Sequence, residues 1–107
     1  MLDDIIDAAE KIKQFTDGLN YNEFTSDQKT VDAVLRNFEV IGEAAKHIPD
    51  EIYREYSEVP WSEMAGMRDK LIHGYASVEL RIVWMTVQEE IPRLLPQIKL
   101  VREDLIE

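Results

Sequence analysis

The 107 residues include no cysteine, 45% hydrophobic side chains and a net charge of −10, from 12 Lys/Arg against 22 Asp/Glu. That length and apolar supply suit a single domain, residues 1–107, with one modest core. The missing thiols exclude disulfides and thiolate metal sites, and the acidic balance excludes a broadly basic nucleic-acid surface.

The first apolar stripe is Leu2, Ile5, Ile6, Ala9, Ile12 and Phe15, the three-four spacing of one helix face, with Gly18 placed to end it. Gly18 to Thr25, with Asn20 and Asn22, reads as a connecting loop. Val31, Val34, Leu35, Phe38, Ile41, Ala45 and Ile48 define a second helix over roughly residues 27–47. Ser26 or Asp27 can cap its start, and Pro49 stops it. Pro49 and Pro60 bracket a short helical segment with Ile52, Tyr53 and Tyr56. After Pro60, the positions Trp61, Met64, Ala65, Arg68, Leu71 and Ile72 predict a helix that could end at Gly74. Ser77 is a good cap for the next helix, which carries Leu80, Val83, Trp84, Val87 and Ile91. Pro92 and Pro96 then predict a kink or a separate terminal helix bearing Leu94, Leu95, Ile98, Val101 and Leu105.

These elements predict an all-α fold, an antiparallel up-and-down bundle of four to five helices. No strand alternation, repeat or linker interrupts the pattern. The apolar supply is generous for such a bundle, and Trp84, Met85 and the long terminal stripe motivate a homodimer. No apolar run approaches the ~18–20 residues that span a bilayer. The acidic start Met1-Leu2-Asp3-Asp4 has no signal-peptide design. A soluble, cytoplasmic protein is the expectation.

Chemistry concentrates in Arg68-Asp69-Lys70-Leu71-Ile72-His73-Gly74-Tyr75, which holds one of only two histidines. Arginine grips phosphate with a planar fork of donors, and histidine moves a proton near neutral pH. On an ideal helix Arg68 and His73 lie ~140° apart, so they converge only if the helix ends near Gly74 or a second subunit completes the site. Asp69 and His73 are four apart, so on one helix Asp69 could orient the imidazole. The plainer alternative is a surface ion pair from Arg68 to Glu63 or Asp69, a helix-capping His73 and a packed Tyr75. The charge is uneven, with six basic against fourteen acidic residues over 1–60 (net −8) and six against eight over 61–107 (net −2). Any RNA contact is therefore expected at a local patch containing Arg68.

His47, just before Pro49, reads as a helix C-cap. It lies four residues from Glu43, a spacing that could suggest a metal-ligand pair, but two histidines without a Glu-x-x-His pair argue against a di-iron bundle, and no metal site is expected. There is no glycine-rich phosphate loop, and no cofactor is implied. Glu39 and Glu43, flanked by Arg36 and Lys46, form either a solvated charged face or a polar wall of the same cleft.

Several blocks together resemble the HepT-like (DUF86) family of the HEPN superfamily. They are Arg36-Asn37-Phe38-Glu39-Val40-Ile41-Gly42-Glu43-Ala44-Ala45-Lys46, Val59-Pro60-Trp61, Gly66-Met67-Arg68-Asp69-Lys70-Leu71-Ile72-His73-Gly74-Tyr75, Ile82-Val83-Trp84 and Ile91-Pro92-Arg93-Leu94. The resemblance implies a dimerising helical bundle and a toxin endoribonuclease that needs no metal, with its Arg-x4-His-x-Tyr pattern on Arg68, His73 and Tyr75. It implies that the arginines and histidines of both subunits line a shared cleft, which removes the angular difficulty. His73 would then act as general base or acid, Arg68 would stabilise transition-state charge, and Asp69, where many relatives have asparagine, would orient His73. The products would be 2′,3′-cyclic phosphate and 5′-hydroxyl ends. The resemblance also implies a partner, a minimal nucleotidyltransferase (MNT-type) antitoxin that transfers AMP to Tyr75. Assemblies above the dimer would form with that antitoxin. The competing reading is a non-catalytic helical module that binds such a nucleotidyltransferase.

Overall fold

Three long helices frame the molecule. They are α1 (Leu2–Thr16), α3 (Gln28–Lys46) and α8 (Ile91–Ile106). The computed structural model describes residues 2–73 and 77–106, with residues 72, 73, 77 and 78 described by their backbone. Between the long helices run α2 (Tyr21–Ser26), α4 (Asp50–Glu55), α5 (Trp61–Ala65), α6 (Met67–Leu71), β1 (Ile72–His73), β2 (Ser77–Val78) and α7 (Leu80–Met85). A π-helical turn, Thr86–Glu90, joins α7 to α8. The architecture is all-α, as the periodicity predicts, apart from the two-residue antiparallel ladder that pairs Ile72 with Val78 and His73 with Ser77. No helix among the described residues is long and apolar enough to cross a membrane.

The helix directions follow from contacts at their ends. Arg102 near the end of α8 donates to Asp3 at the start of α1, Nη1 to Oδ1 at 3.0 Å, so these helices run antiparallel. Asp4 shares a groove with Glu43 and His47 at the end of α3, so α1 and α3 are antiparallel too. The molecule is a slab of 43 × 30 × 18 Å, less than two ~10–12 Å helices thick. Its core comprises Ile5, Ala9 and Ile12 of α1, Val34, Phe38 and Ile41 of α3, and Ile91 and Ile98 of α8, with Phe24, Trp61, Met64 and Leu71 filling the gaps. The hydroxyl of Tyr56 donates to the Asp104 carboxylate, tying the segment after α4 to the end of α8. That hydrogen bond holds the phenol's proton and pushes its pKa up to about 12.

The expected stripes hold with local corrections. Phe15 is 40% exposed, and Thr16 is buried in its place, its hydroxyl bonding the Ile12 carbonyl at 2.8 Å. Leu105 is also exposed, as are Leu100 and Ile106. Gly18 ends α1 at φ +77°, a left-handed conformation that glycine adopts freely. The expected loop from Gly18 to Thr25 instead contains α2. Its capping box has the Asn20 side chain accepting from the Glu23 amide at 2.8 Å, while the Glu23 carboxylate accepts from the Asn20 amide at 3.0 Å. Asp27 caps α3 through the amide and hydroxyl of Thr30, and these donors pull its carboxyl below the usual range.

The helix expected from Pro60 to Gly74 is two short pieces that break at Gly66, and the second stops at Leu71. The Leu71 carbonyl accepts the Glu79 amide at 3.4 Å rather than continuing the helix. Gly74, the expected helix end, lies outside the described residues. Ser77 does not cap α7. It lies in β2, and Glu79 occupies the cap position without a side-chain cap bond. Pro92 falls in the first turn of the terminal helix α8, one of the two expected outcomes, whereas Pro96 lies inside that helix. The preceding turn widens, with the Ile91 amide reaching the Thr86 carbonyl, which relieves the clash a proline ring makes with an upstream carbonyl.

Phe38→Ala, at a site 1% exposed, should lower unfolding free energy by about 3–5 kcal/mol, read from urea denaturation. Asp27→Ala should destabilise the protein at neutral pH. Because the folded carboxyl is depressed below its ordinary 3.8, its contribution is present above that value and lost as pH falls through the folded pKa. Unfolding curves of wild type and variant should therefore converge in acid.

Candidate functional site

Arg68 is placed by the buried residues around it. Trp61 and Met64 of α5 are each 1% exposed, and the Trp61 indole donates to the Tyr56 carbonyl at 3.0 Å. Gly42 of α3 allows this approach. A Cβ there would meet the Met64 and Ala65 carbonyls at 3.3 and 3.5 Å. Beyond Gly66, Met67 and Leu71 anchor one face of α6 in the core. Arg68, Asp69 and Lys70 between them are exposed.

The Arg68 guanidinium lies 3.9 Å from the Asp69 carboxylate, with side chains 59% and 86% exposed. That is a loose pair in high dielectric, contributing at most about 1 kcal/mol, so the guanidinium can turn to a stronger anion at little cost. His73 is not on this helix. Its backbone lies in β1, opposite Ser77. The ~140° helical separation from Arg68 therefore does not apply, and neither does the four-residue helical spacing that would have put Asp69 and His73 on one face. Tyr75 lies outside the described residues. Lys70 lines a neighbouring cavity with Glu63, Glu90 and Arg93, above a floor of Met64, Met67 and Leu94.

The proposed cleft wall divides. Arg36, Glu39 and Glu43 line one groove with Asp4, Val40, Ala44 and His47, whereas Lys46 and Arg68 do not line it. Arg36 pairs with Glu39 at 3.7 Å, and His47 Nε2 lies 3.3 Å from Glu43 Oε1. His47 occupies the C-cap position of α3, its backbone amide donating to the Ala44 and Ala45 carbonyls. Three carboxylates against one guanidinium and an imidazole make this groove a poor phosphate site.

A further cluster stands on α7, where Trp84 of the expected stripe meets Tyr21, Phe24 and Arg81, three residues outside the stripes. The Arg81 guanidinium lies over the Tyr21 ring, 5.5 Å from its centroid. Trp84 meets Tyr21 edge-on at 6.5 Å and Phe24 at 5.1 Å. The signal was the Asn20-x-x-Glu23 capping box, which makes α2 a helix and carries both rings to α7.

The family model described as Ribonuclease HepT-like matches residues 5–101. A protein named "Probable ribonuclease HepT" from Thermococcus cleftensis is 50% identical over 93 residues, covering 87% of this chain and 84% of that one. "Putative RNase TTE0752" from Caldanaerobacter subterraneus is 43% identical, covering 92% of this chain and 88% of that one. A protein of Methanocaldococcus jannaschii, also named as an RNase, is 42% identical over 97% of this chain and 90% of its own length. No solved structure matches. The chain belongs to the ribonuclease HepT-like family.

Because the Arg68–Asp69 pair is long and solvated, Asp69→Asn should change unfolding free energy by less than about 0.5 kcal/mol, read as an almost unmoved thermal transition.

Proposed function

We propose that this chain is a metal-independent endoribonuclease, the toxin of a HEPN/MNT toxin–antitoxin pair, acting through Arg68 and His73 at the cleft of a homodimer. The observation that carries the reading is the family match across residues 5–101, together with the Arg68-x4-His73-x-Tyr75 pattern inside it. The exposed, loosely paired Arg68 supports it.

RNA supplies its own nucleophile in this mechanism. A His73 imidazole takes the 2′-hydroxyl proton as that oxygen attacks phosphorus, and the bond to the 5′-oxygen breaks. The partner subunit's His73 returns a proton to the leaving oxygen. Arg68 stabilises the charge that builds on the non-bridging oxygens. Asp69 keeps a supporting role through its proximity to Arg68, without the helical relation to His73. Neutralisation is by AMP transfer from ATP to Tyr75, carried out by the nucleotidyltransferase antitoxin. The adduct would place bulk and negative charge where substrate phosphate must sit. The protein acts in the cytoplasm.

The net charge of −10 favours a second reading, a non-catalytic module that only presents itself to the nucleotidyltransferase. One comparison separates the two. Arg68→Ala and His73→Ala should each lower RNA cleavage by at least about 100-fold, measured on a labelled RNA, and should relieve growth arrest on expression. Equal behaviour of wild type and both variants selects the non-catalytic module.

A further inference from the structure

Arg81 lies outside the Arg68–His73–Tyr75 motif, yet the fold brings it to the same region. Ser77 pairs with His73 across the ladder, and Arg81 follows four residues later at the start of α7. At ~3.5 Å per residue, its Cα lies within ~14 Å of that of Ser77. A strand of RNA passing His73 therefore comes within reach of a long side chain on Arg81.

Its charge is available. Arg36 and Arg102 each face a carboxylate, on Glu39 and Asp3, and Arg68 has only its long, solvated pair with Asp69. Arg81 has no ion pair among the described residues, and its contact is the Tyr21 ring. A ring face attracts the cation without accepting its N–H groups as a carboxylate would, so those donors remain available. Those donors are the fork that grips phosphate in a bidentate manner.

Its position is also fixed in advance. Tyr21 opens α2, which is held by the Asn20–Glu23 capping box and by Phe24, a fully buried ring 5.1 Å from that of Trp84. A long arginine normally loses rotamer freedom on binding, and one already resting over a ring loses less. A held cation with free donors beside the ladder is what a flanking phosphate needs.

We propose that Arg81, placed over the Tyr21 ring, binds a phosphate of the RNA strand next to the scissile linkage, an inference that rests on the ribonuclease reading. The test uses the full chain in a His73→Ala background, so that substrate survives. Binding of a fluorescein-labelled single-stranded RNA is followed by anisotropy across a salt series, beside a cleavage assay with wild type. Arg81→Ala should weaken binding about 5–10-fold at low salt and make the salt dependence shallower by about one ion. Arg81→Lys should keep the salt slope. Without the His73 change, Arg81→Ala should raise KM with little effect on kcat. Arg81→Gln retains a planar group over Tyr21 and removes the charge, so it stands in if the alanine variant fails to fold. An unchanged affinity and salt slope in the folded variant, alongside cleavage by wild type, overturns the proposal and leaves the ribonuclease reading intact. Wild type that cleaves no RNA overturns that reading and this one with it.

Discussion

The close approach of α5 to α3 at Gly42 is the constraint on which the site depends. Glycine in a helix interior costs about 1 kcal/mol relative to alanine, and here a Cβ would sit 3.3 Å from the Met64 carbonyl. Its absence lets the α5 backbone lie directly on α3, with Trp61 and Met64 sealed into the core. The pieces α5 and α6 are five residues each, far too short to hold helical form alone. They persist because Trp61, Met64, Met67 and Leu71 are buried, and that burial fixes where Arg68 emerges. A Cβ at position 42 would require the Met64 carbonyl, part of the α5 backbone, to give by a few tenths of an ångström.

The long helices were legible because burial there follows a strict three-four period. Leu2, Ile5, Ile6, Ala9 and Ile12 face inward, as do Val31, Val34, Phe38 and Ile41. What failed was decided by contacts that spacing does not encode. Phe15 has the right period, but α1 is ending there and Thr16 satisfies its own hydroxyl within the last turn. The helix through Arg68 stops at Leu71, where the chain enters the β1–β2 ladder and the Leu71 carbonyl accepts from Glu79, eight residues on. For the candidate site, the residue types were legible and their arrangement was not. Arg68 stands out by residue type, but its relation to His73 is not helical, because His73 lies in β1.

Charge gives the account its other boundary. A chain at −10 cannot gather RNA by long-range attraction, so recognition must rest on a few cations whose charge is not already spent on neighbours. The groove at Arg36, Glu39 and Glu43 fails that criterion, since its one guanidinium is paired and carboxylates surround it. Arg68 meets it through a long, solvated pair. Arg81 meets it by resting on an aromatic ring. Both lie in the half of the sequence where the acidic excess falls to −2. The less acidic segment and the motif thus coincide in the sequence.

The most direct measurement of the central claim is the chemistry of the RNA ends, determined by mass spectrometry on fragments produced in the presence of EDTA. Attack by the 2′-hydroxyl, assisted by His73 and Arg68, predicts 2′,3′-cyclic phosphate and 5′-hydroxyl termini at an undiminished rate. Fragments ending in a 3′-hydroxyl, or cleavage abolished by the chelator, would contradict it.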